Sequence, residues 1–130
     1  MKIGYTMVGV KDIQKSAAFY DKVLGTMGAT RKMEYEKFIL WNDSAGNPSF
    51  SICMPYDGNE ATVGNGSMIA FPVKKPEDVH MVYDCAIENG AMDEGAPGMR
   101  DGGYYIGYFR DLDGNKLAAY FYENENKQHL

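Results

Sequence analysis

VKDIQKSAAFYDKVL, residues 10–24, decides the fold, because it falls on VKKPEDVHMVYDCAI, residues 73–87, at an offset of 63. Val10, Lys11, Tyr20 and Asp21 meet identical residues at Val73, Lys74, Tyr83 and Asp84. A second match lies at an offset of 68, where WNDSAGN (41–47) falls on FRDLDGN (109–115) and Asp43, Gly46 and Asn47 meet Asp111, Gly114 and Asn115. Self-similarity at a fixed spacing marks one supersecondary unit used twice. Two modules follow, 1–54 and 67–122, joined by the turn-rich PYDGNEATVGNG (55–66) and trailed by a polar tail, 123–130, that is expected to fray.

Each module reads in the same order. A short strand (4–10 and 67–73) has β-branched or aromatic residues at alternate positions. A helix comes next. In the first copy Asp12 or Ser16 can cap its start, Phe19 and Val23 share a face, and Gly25 or Gly28 can end it in the left-handed conformation. In the second, Pro76 suits the first turn, Val79, Val82, Tyr83, Ala86 and Ile87 form the apolar stripe, and Gly90 follows. Three strands complete each copy, near 29–35, 37–42 and 48–54, and near 91–95, 104–110 and 116–122. The expected class is α+β, with two tandem βαβββ modules forming a curled mixed sheet around a cleft, in one domain spanning 1–130.

The 130 residues suffice for one core without disulfides, and 45% hydrophobic with 24% charged residues is a globular balance. A net charge of -5, with 13 scattered basic residues, argues against nucleic acid or an anionic membrane surface, both of which reward clustered Lys and Arg. No apolar run approaches the ~18 residues needed to cross a bilayer, and Met1-Lys2-Ile3-Gly4 does not open a signal peptide, so a cytoplasmic protein is expected. Cys53 and Cys85 have no metal-ligand spacing and read as buried thiols.

The doubled βαβββ order resembles the vicinal oxygen chelate superfamily, which includes glyoxalase I, extradiol dioxygenases and bleomycin-resistance proteins. The likeness covers nearly the whole chain and is carried by VKDIQKSAAFYDKVLG (10–25), GNGSMIAF (64–71), DEGAPGMR (93–100) and YFRDLDGNKLAAY (108–120). It implies that each module's strands curl around a shared cleft, with the first and last strands of each module facing in. In the family's enzymes those strands carry the metal ligands, and family members commonly pair as homodimers.

Strand alternation nominates the cleft positions. Ile69, Phe71 and Val73 make a helix-facing set that leaves Met68 and Ala70 toward the cleft; shifted by 63, Val8 and Val10 face their helix while Tyr5, Met7 and Gly9 face the cleft. The offset of 68 pairs Phe50 with Ala118, which puts Ile52, Met54, Tyr120 and Tyr122 on the same face. Tyr5, Phe50, Met68 and Ala118 are therefore the four equivalent places where the resemblance implies His, Glu or Gln.

Divalent ions need several imidazole or carboxylate donors at roughly 2.0–2.2 Å. Those four places offer a phenol, a phenyl ring, a thioether and a methyl group, so neither a metal nor another cofactor is expected. His80 sits on the second helix and His129 in the tail. Gly64-Asn65-Gly66-Ser67 leads into a strand rather than a helix and reads as a turn, not a phosphate cradle. Asp111-Leu112-Asp113-Gly114-Asn115 lacks the downstream Glu of a calcium loop, and a hairpin turn explains both it and its copy at 43–47.

Arg100, in the glycine-rich GAPGMR run that the resemblance lays over the cleft mouth, can meet an anionic group or pair with Asp101 or Asp93. Alternation sends Tyr104 and Tyr108 to one face and Tyr105 to the other, without saying which set faces inward. The expected function is metal-free binding of a small hydrophobic or aromatic molecule, with Tyr5, Met7, Phe50, Ile52, Met54, Met68, Ala118, Tyr120, Tyr122 and Arg100 around it. One alternative is a glyoxalase-like lyase or isomerase with Tyr5 as catalytic acid or base; another is a vestigial dimeric regulatory protein.

Overall fold

A computed structural model describes residues 1–123. The expected tail, with His129, lies outside the described residues apart from Glu123, whose N–H donates to the Gly103 carbonyl at 3.0 Å. The chain divides into two compact units, Met1–Asn65 and Gly66–Leu130. The expected α+β class, a βαβββ module used twice, is the one the chain adopts, with one four-stranded mixed sheet in each unit.

The first unit runs β1 (Tyr5–Gly9), α1 (Ile13–Gly25), β2 (Thr30–Tyr35), β3 (Phe38–Asn42) and β4 (Ser49–Cys53), with sheet order β1-β4-β3-β2. β1 and β4 are parallel, which requires the helix to cross between them; the other pairs are antiparallel. α1 starts where Asp12, in extended conformation, accepts the Lys15 N–H at 3.1 Å. It ends at a tight turn in which Gly28 has φ +83°, where a residue without Cβ costs nothing.

α1 buries Ala17, Phe19, Tyr20, Val23 and Leu24 against one sheet face. Tyr20 is its centre, 4.8 Å from the Phe50 ring and 5.9 Å from the Trp41 ring. Phe19, Val23 and Leu24 each contribute roughly 1.5–3 kcal/mol through the apolar area they remove from water. The connecting segment returns across the other face near β1, where a Cβ on Gly9 would come 3.1 Å from that of Ala61.

The second unit runs β5 (Ile69–Pro72), α2 (Pro76–Glu88), β6 (Met92–Met99), a 3-10 turn (Asp101–Gly103), β7 (Tyr104–Arg110) and β8 (Lys116–Tyr122), with order β5-β8-β7-β6. Pro76 opens α2, whose buried Val79, Val82 and Ala86 are its inner stripe. The strand expected to end near 95 continues through the GAPG run to Met99, with Gly95 paired to Tyr108 and Gly98 to Ile106. Its register shifts twice, between Asp93 and Gly95 and between Gly95 and Gly98, and these irregularities keep a segment containing Pro97 on the sheet. Proline is tolerated there because β6 is an edge strand with one unpaired side.

Both hairpin turns are held by their leading aspartate. The Asp111 Oδ1 accepts the N–H groups of Asp113 and Asn115, both at 2.9 Å, and its Oδ2 accepts the Asn115 amide at 2.9 Å. Asp43 repeats the device with the Ala45 N–H at 3.0 Å and the Asn47 amide at 2.8 Å. The carboxylates are thus engaged in shaping turns.

Candidate functional site

In each unit one sheet face is packed on its helix; the other, the open face, exposes Tyr5, Met7, Met68 and Tyr104 but buries Leu40, Ser51 and Ala118. Register assigns the side chains. Tyr5 stands beside Ser49, Met7 beside Ser51 and Gly9 beside Cys53, with Leu40 opposite Ser51 and Phe38 opposite Cys53. This set forms the open face of the first sheet, and Tyr5 is 59% exposed.

Phe50 and Ile52 do not belong to it. They stand beside Thr6 and Val8, turn toward α1, and are buried, Phe50 to 4% exposure. Met54, just past β4, continues that alternation away from the open face. The cause is one residue. Trp41 to Phe50 spans one residue more than Phe109 to Leu117, because Pro48 has no counterpart in the second turn. The offset of 68 that holds for β3 and β7 falls to 67 for β4 and β8, and a one-residue slip exchanges the two faces. The equivalent of Ala118 is Ser51, whose hydroxyl donates to the Thr6 carbonyl at 2.7 Å.

In the second unit, Ala70 stands beside Ala118, which faces Tyr108; Pro72 stands beside Tyr120, which faces Ile106; Tyr122 faces Tyr104. Alternation places Met68, one residue before β5, on this face as well. The undecided tyrosines are now assigned. Tyr104 and Tyr108 share the open face, while Tyr105 lies on the helix side, where its hydroxyl and His80 Nε2 share a 2.6 Å hydrogen bond. Small residues at Ala70 and Ala118 and large rings along β7 and β8 give the face its relief.

Tyr104 and Tyr122 stack at 4.5 Å and 21°, and Tyr104 meets Tyr120 at 5.8 Å. Tyr108 carries two cations near its ring, the Arg100 guanidinium at 5.6 Å and the Lys116 ammonium at 5.1 Å from its centre. Of the two partners expected for Arg100, Asp93 is taken by the Tyr83 hydroxyl and the Gly95 N–H, both at 2.8 Å. Arg100 makes no ion pair among the described residues; one of its N–H groups reaches the Ala96 carbonyl at 2.9 Å. Lys116 escaped the sequence reading, although alternation back from Ala118 places it on the same face.

The first unit offers Tyr5 and Ser51 at the symmetry-selected positions, the second Met68 and Ala118. None is an imidazole or a carboxylate. Among the described residues no three His, Cys, Asp or Glu side chains gather to hold an ion. Cys53 and Cys85 are half-buried rather than buried, and burial pushes the Cys53 thiol above its usual range, away from the reactive thiolate.

A family model described as Glyoxalase/Bleomycin resistance protein/Dioxygenase superfamily matches residues 2–119. The chain belongs to that superfamily. A glyoxalase/bleomycin resistance protein from Albidiferax ferrireducens T118 is 37% identical, with a TM-score of 0.84 over 92% of this chain and 97% of that one. A glyoxalase/bleomycin resistance protein/dioxygenase family enzyme from Burkholderia phytofirmans PsJN is 18% identical, with a TM-score of 0.76 over 94% of this chain and 99% of that one. A glyoxalase-related enzyme from Fulvimarina pelagi, also 18% identical, has a TM-score of 0.76 over 93% and 88%. The last two show the shared fold alone. Comparison with curated proteins gave no match.

The glyoxalase-type scaffold therefore stands, while Tyr5, Ser51, Met68 and Ala118 do not supply the imidazole or carboxylate donors that a divalent ion needs. Among the described residues no helix is long and apolar enough to cross a membrane.

Proposed function

We propose that this member of the superfamily binds a small hydrophobic or aromatic molecule without a metal, on the open face of the second sheet. The observation that carries the reading is the tyrosine group. Tyr104 and Tyr122 are already stacked and Tyr120 is tilted against them, so a flat ligand meets ring surface and hydroxyls together. Met68 completes this proposed lining, whereas Ala118, on the same face, is fully buried. Tyr5 and Met7 are their open-face counterparts in the first unit, and the corrected register removes Phe50, Ile52 and Met54. The absence of carboxylate or imidazole at Tyr5, Ser51, Met68 and Ala118 supports metal-free binding.

Acid–base catalysis at Tyr5 has less support, because among the described residues no base or acid hydrogen-bonds its hydroxyl to activate it. A thermal-shift panel of flat aromatic compounds tests the binding reading. At least one compound is expected to stabilise the protein saturably, by about 2.7 kcal/mol at a hundred times its Kd, and equally with and without EDTA. A uniformly flat response rejects the ligand. Loss of the shift in EDTA rejects the metal-free half.

A further inference from the structure

The geometry points to an oxyanion subsite on the open face of the second unit, built from Arg100, Lys116 and the Tyr108 hydroxyl, which would make the ligand an aromatic acid. The aromatic part of this assignment rests on the proposal above. The anion part stands on separate observations.

The first is that the backbone is cut away to seat the arginine. A Cβ on Gly98 would come 2.8 Å from one Arg100 guanidinium nitrogen, and one on Gly95 would come 3.4 Å from the other and 3.1 Å from the Tyr108 ring. The guanidinium thus occupies space that two glycines leave open on an edge strand, pinned to the Ala96 carbonyl and to the Tyr108 face. A guanidinium has five N–H donors, and one is bound here.

The second is charge. The chain has a net charge of -5, yet Arg100 and Lys116 flank one ring and neither makes an ion pair among the described residues. Asp93 is engaged by Tyr83 and Gly95 and Glu94 by Arg110, while Asp101, next to Arg100 in sequence, forms no ion pair with it among the described residues. Two cations held around a phenol form a site for an oxyanion, because the guanidinium, the ammonium and the hydroxyl all donate.

The third is distance. Tyr108 and Tyr104 are four residues apart on β7, roughly 13 Å at 3.3–3.4 Å per residue. A fused-ring acid spans much of that, with its ring toward Tyr104, Tyr120 and Tyr122 and its acid group at Tyr108. Ala118, directly opposite Tyr108, keeps the floor low at the charged end.

The test compares 2-naphthoate, 2-naphthyl phosphate and neutral 2-naphthamide by calorimetry on wild type, Arg100→Gln, Lys116→Gln and the double variant, with circular dichroism confirming folding. Inorganic phosphate is titrated separately while backbone amide resonances are followed. The acids are expected to bind wild type about tenfold tighter than the amide, each single substitution removing most of that preference. Whichever acid binds more tightly identifies the group as carboxylate or phosphate.

Gly98→Ala, which keeps the charge but invades the guanidinium's place, should also cut acid binding while leaving amide binding within about twofold. Phosphate alone should shift the amides of Gly98, Arg100 and Lys116 in wild type and not in the double variant. Local phosphate shifts without naphthyl binding leave the oxyanion subsite standing and reject the aromatic face. Equal affinity for acid and amide, phosphate shifts that survive in the double variant, or neither naphthyl binding nor local shifts, overturns the subsite.

Discussion

Tyr20 and Asp21 recur as Tyr83 and Asp84, but the two copies use the pair differently. Asp21 accepts the Trp41 indole N–H at 2.9 Å and two Arg31 N–H groups at 2.8 Å each. In the second unit Tyr83 is the donor, to Asp93, which faces Phe109 as Arg31 faces Trp41. Burial works to raise the Asp21 carboxyl, but the Arg31 hydrogen bonds, the Trp41 bond and the Arg31 charge outweigh it and hold the group below its usual range. A carboxyl lowered by folding contributes stability above its unfolded value of ~3.9, and that contribution is lost as pH falls through the lower folded value. Asp21→Asn should therefore lower stability by about 1 kcal/mol at pH 7, a modest figure because the carboxylate is partly exposed. Thermal unfolding should show the variant a few degrees below wild type at pH 7, with the gap closing toward pH ~3. A gap of constant size across that range would remove the ion pair as its cause.

Along single elements, the strand faces are what alternation and repeats promised, up to one inserted residue. The period-two pattern in β1 and β5 placed Tyr5, Met7, Met68 and Ala70 on the open side because neither strand is preceded by a length change between copies. β4 follows a turn that Pro48 lengthens, and carrying one offset across it transferred Phe50 and Ile52 to the wrong face. The signal was present in the sequence: Ser51 is the only small polar residue between two large apolar ones at Phe50 and Ile52, the pattern of a strand with one packed face. The edge pairing of GAPG was not legible, since glycine and proline ordinarily argue against a strand and only the partner β7 shows otherwise. Arg100 and Tyr108 were visible as residues, but their meeting depends on those bulges. The face assignment has a direct consequence for stability. Phe50→Ala should cost about 3–5 kcal/mol through the cavity left beside Tyr20, whereas Tyr5→Ala, on the open face, should stay within about 0.5 kcal/mol. Urea unfolding of the two variants distinguishes them, and comparable losses would contradict the register-based assignment.

At the scale of the whole molecule, each unit leaves large apolar side chains in water: Tyr5, Met7, Met33 and Tyr35 on the first sheet, Met68, Met92 and Tyr104 on the second. Single exposed apolar residues are ordinary, but several on one sheet face form a patch of the kind that marks an interaction surface. The polar and charged groups are distributed unequally: Arg100 and Lys116 stand on the second face, whereas on the first Met33 pairs with Leu40 and Tyr35 with Phe38, the two rings 6.5 Å apart. An exposed apolar patch suits burial against protein, and a homodimer buries the same patch on both copies through a two-fold axis. We therefore expect sedimentation at micromolar concentration to give about twice the 14.5 kDa chain mass. Met33→Glu with Tyr35→Glu, placing four charges in the paired patch of a dimer, should shift the species to monomer without unfolding it, since both side chains are about half exposed or more. A wild-type monomer at these concentrations, or a dimer indifferent to both substitutions, would remove the first sheet's open face as the contact.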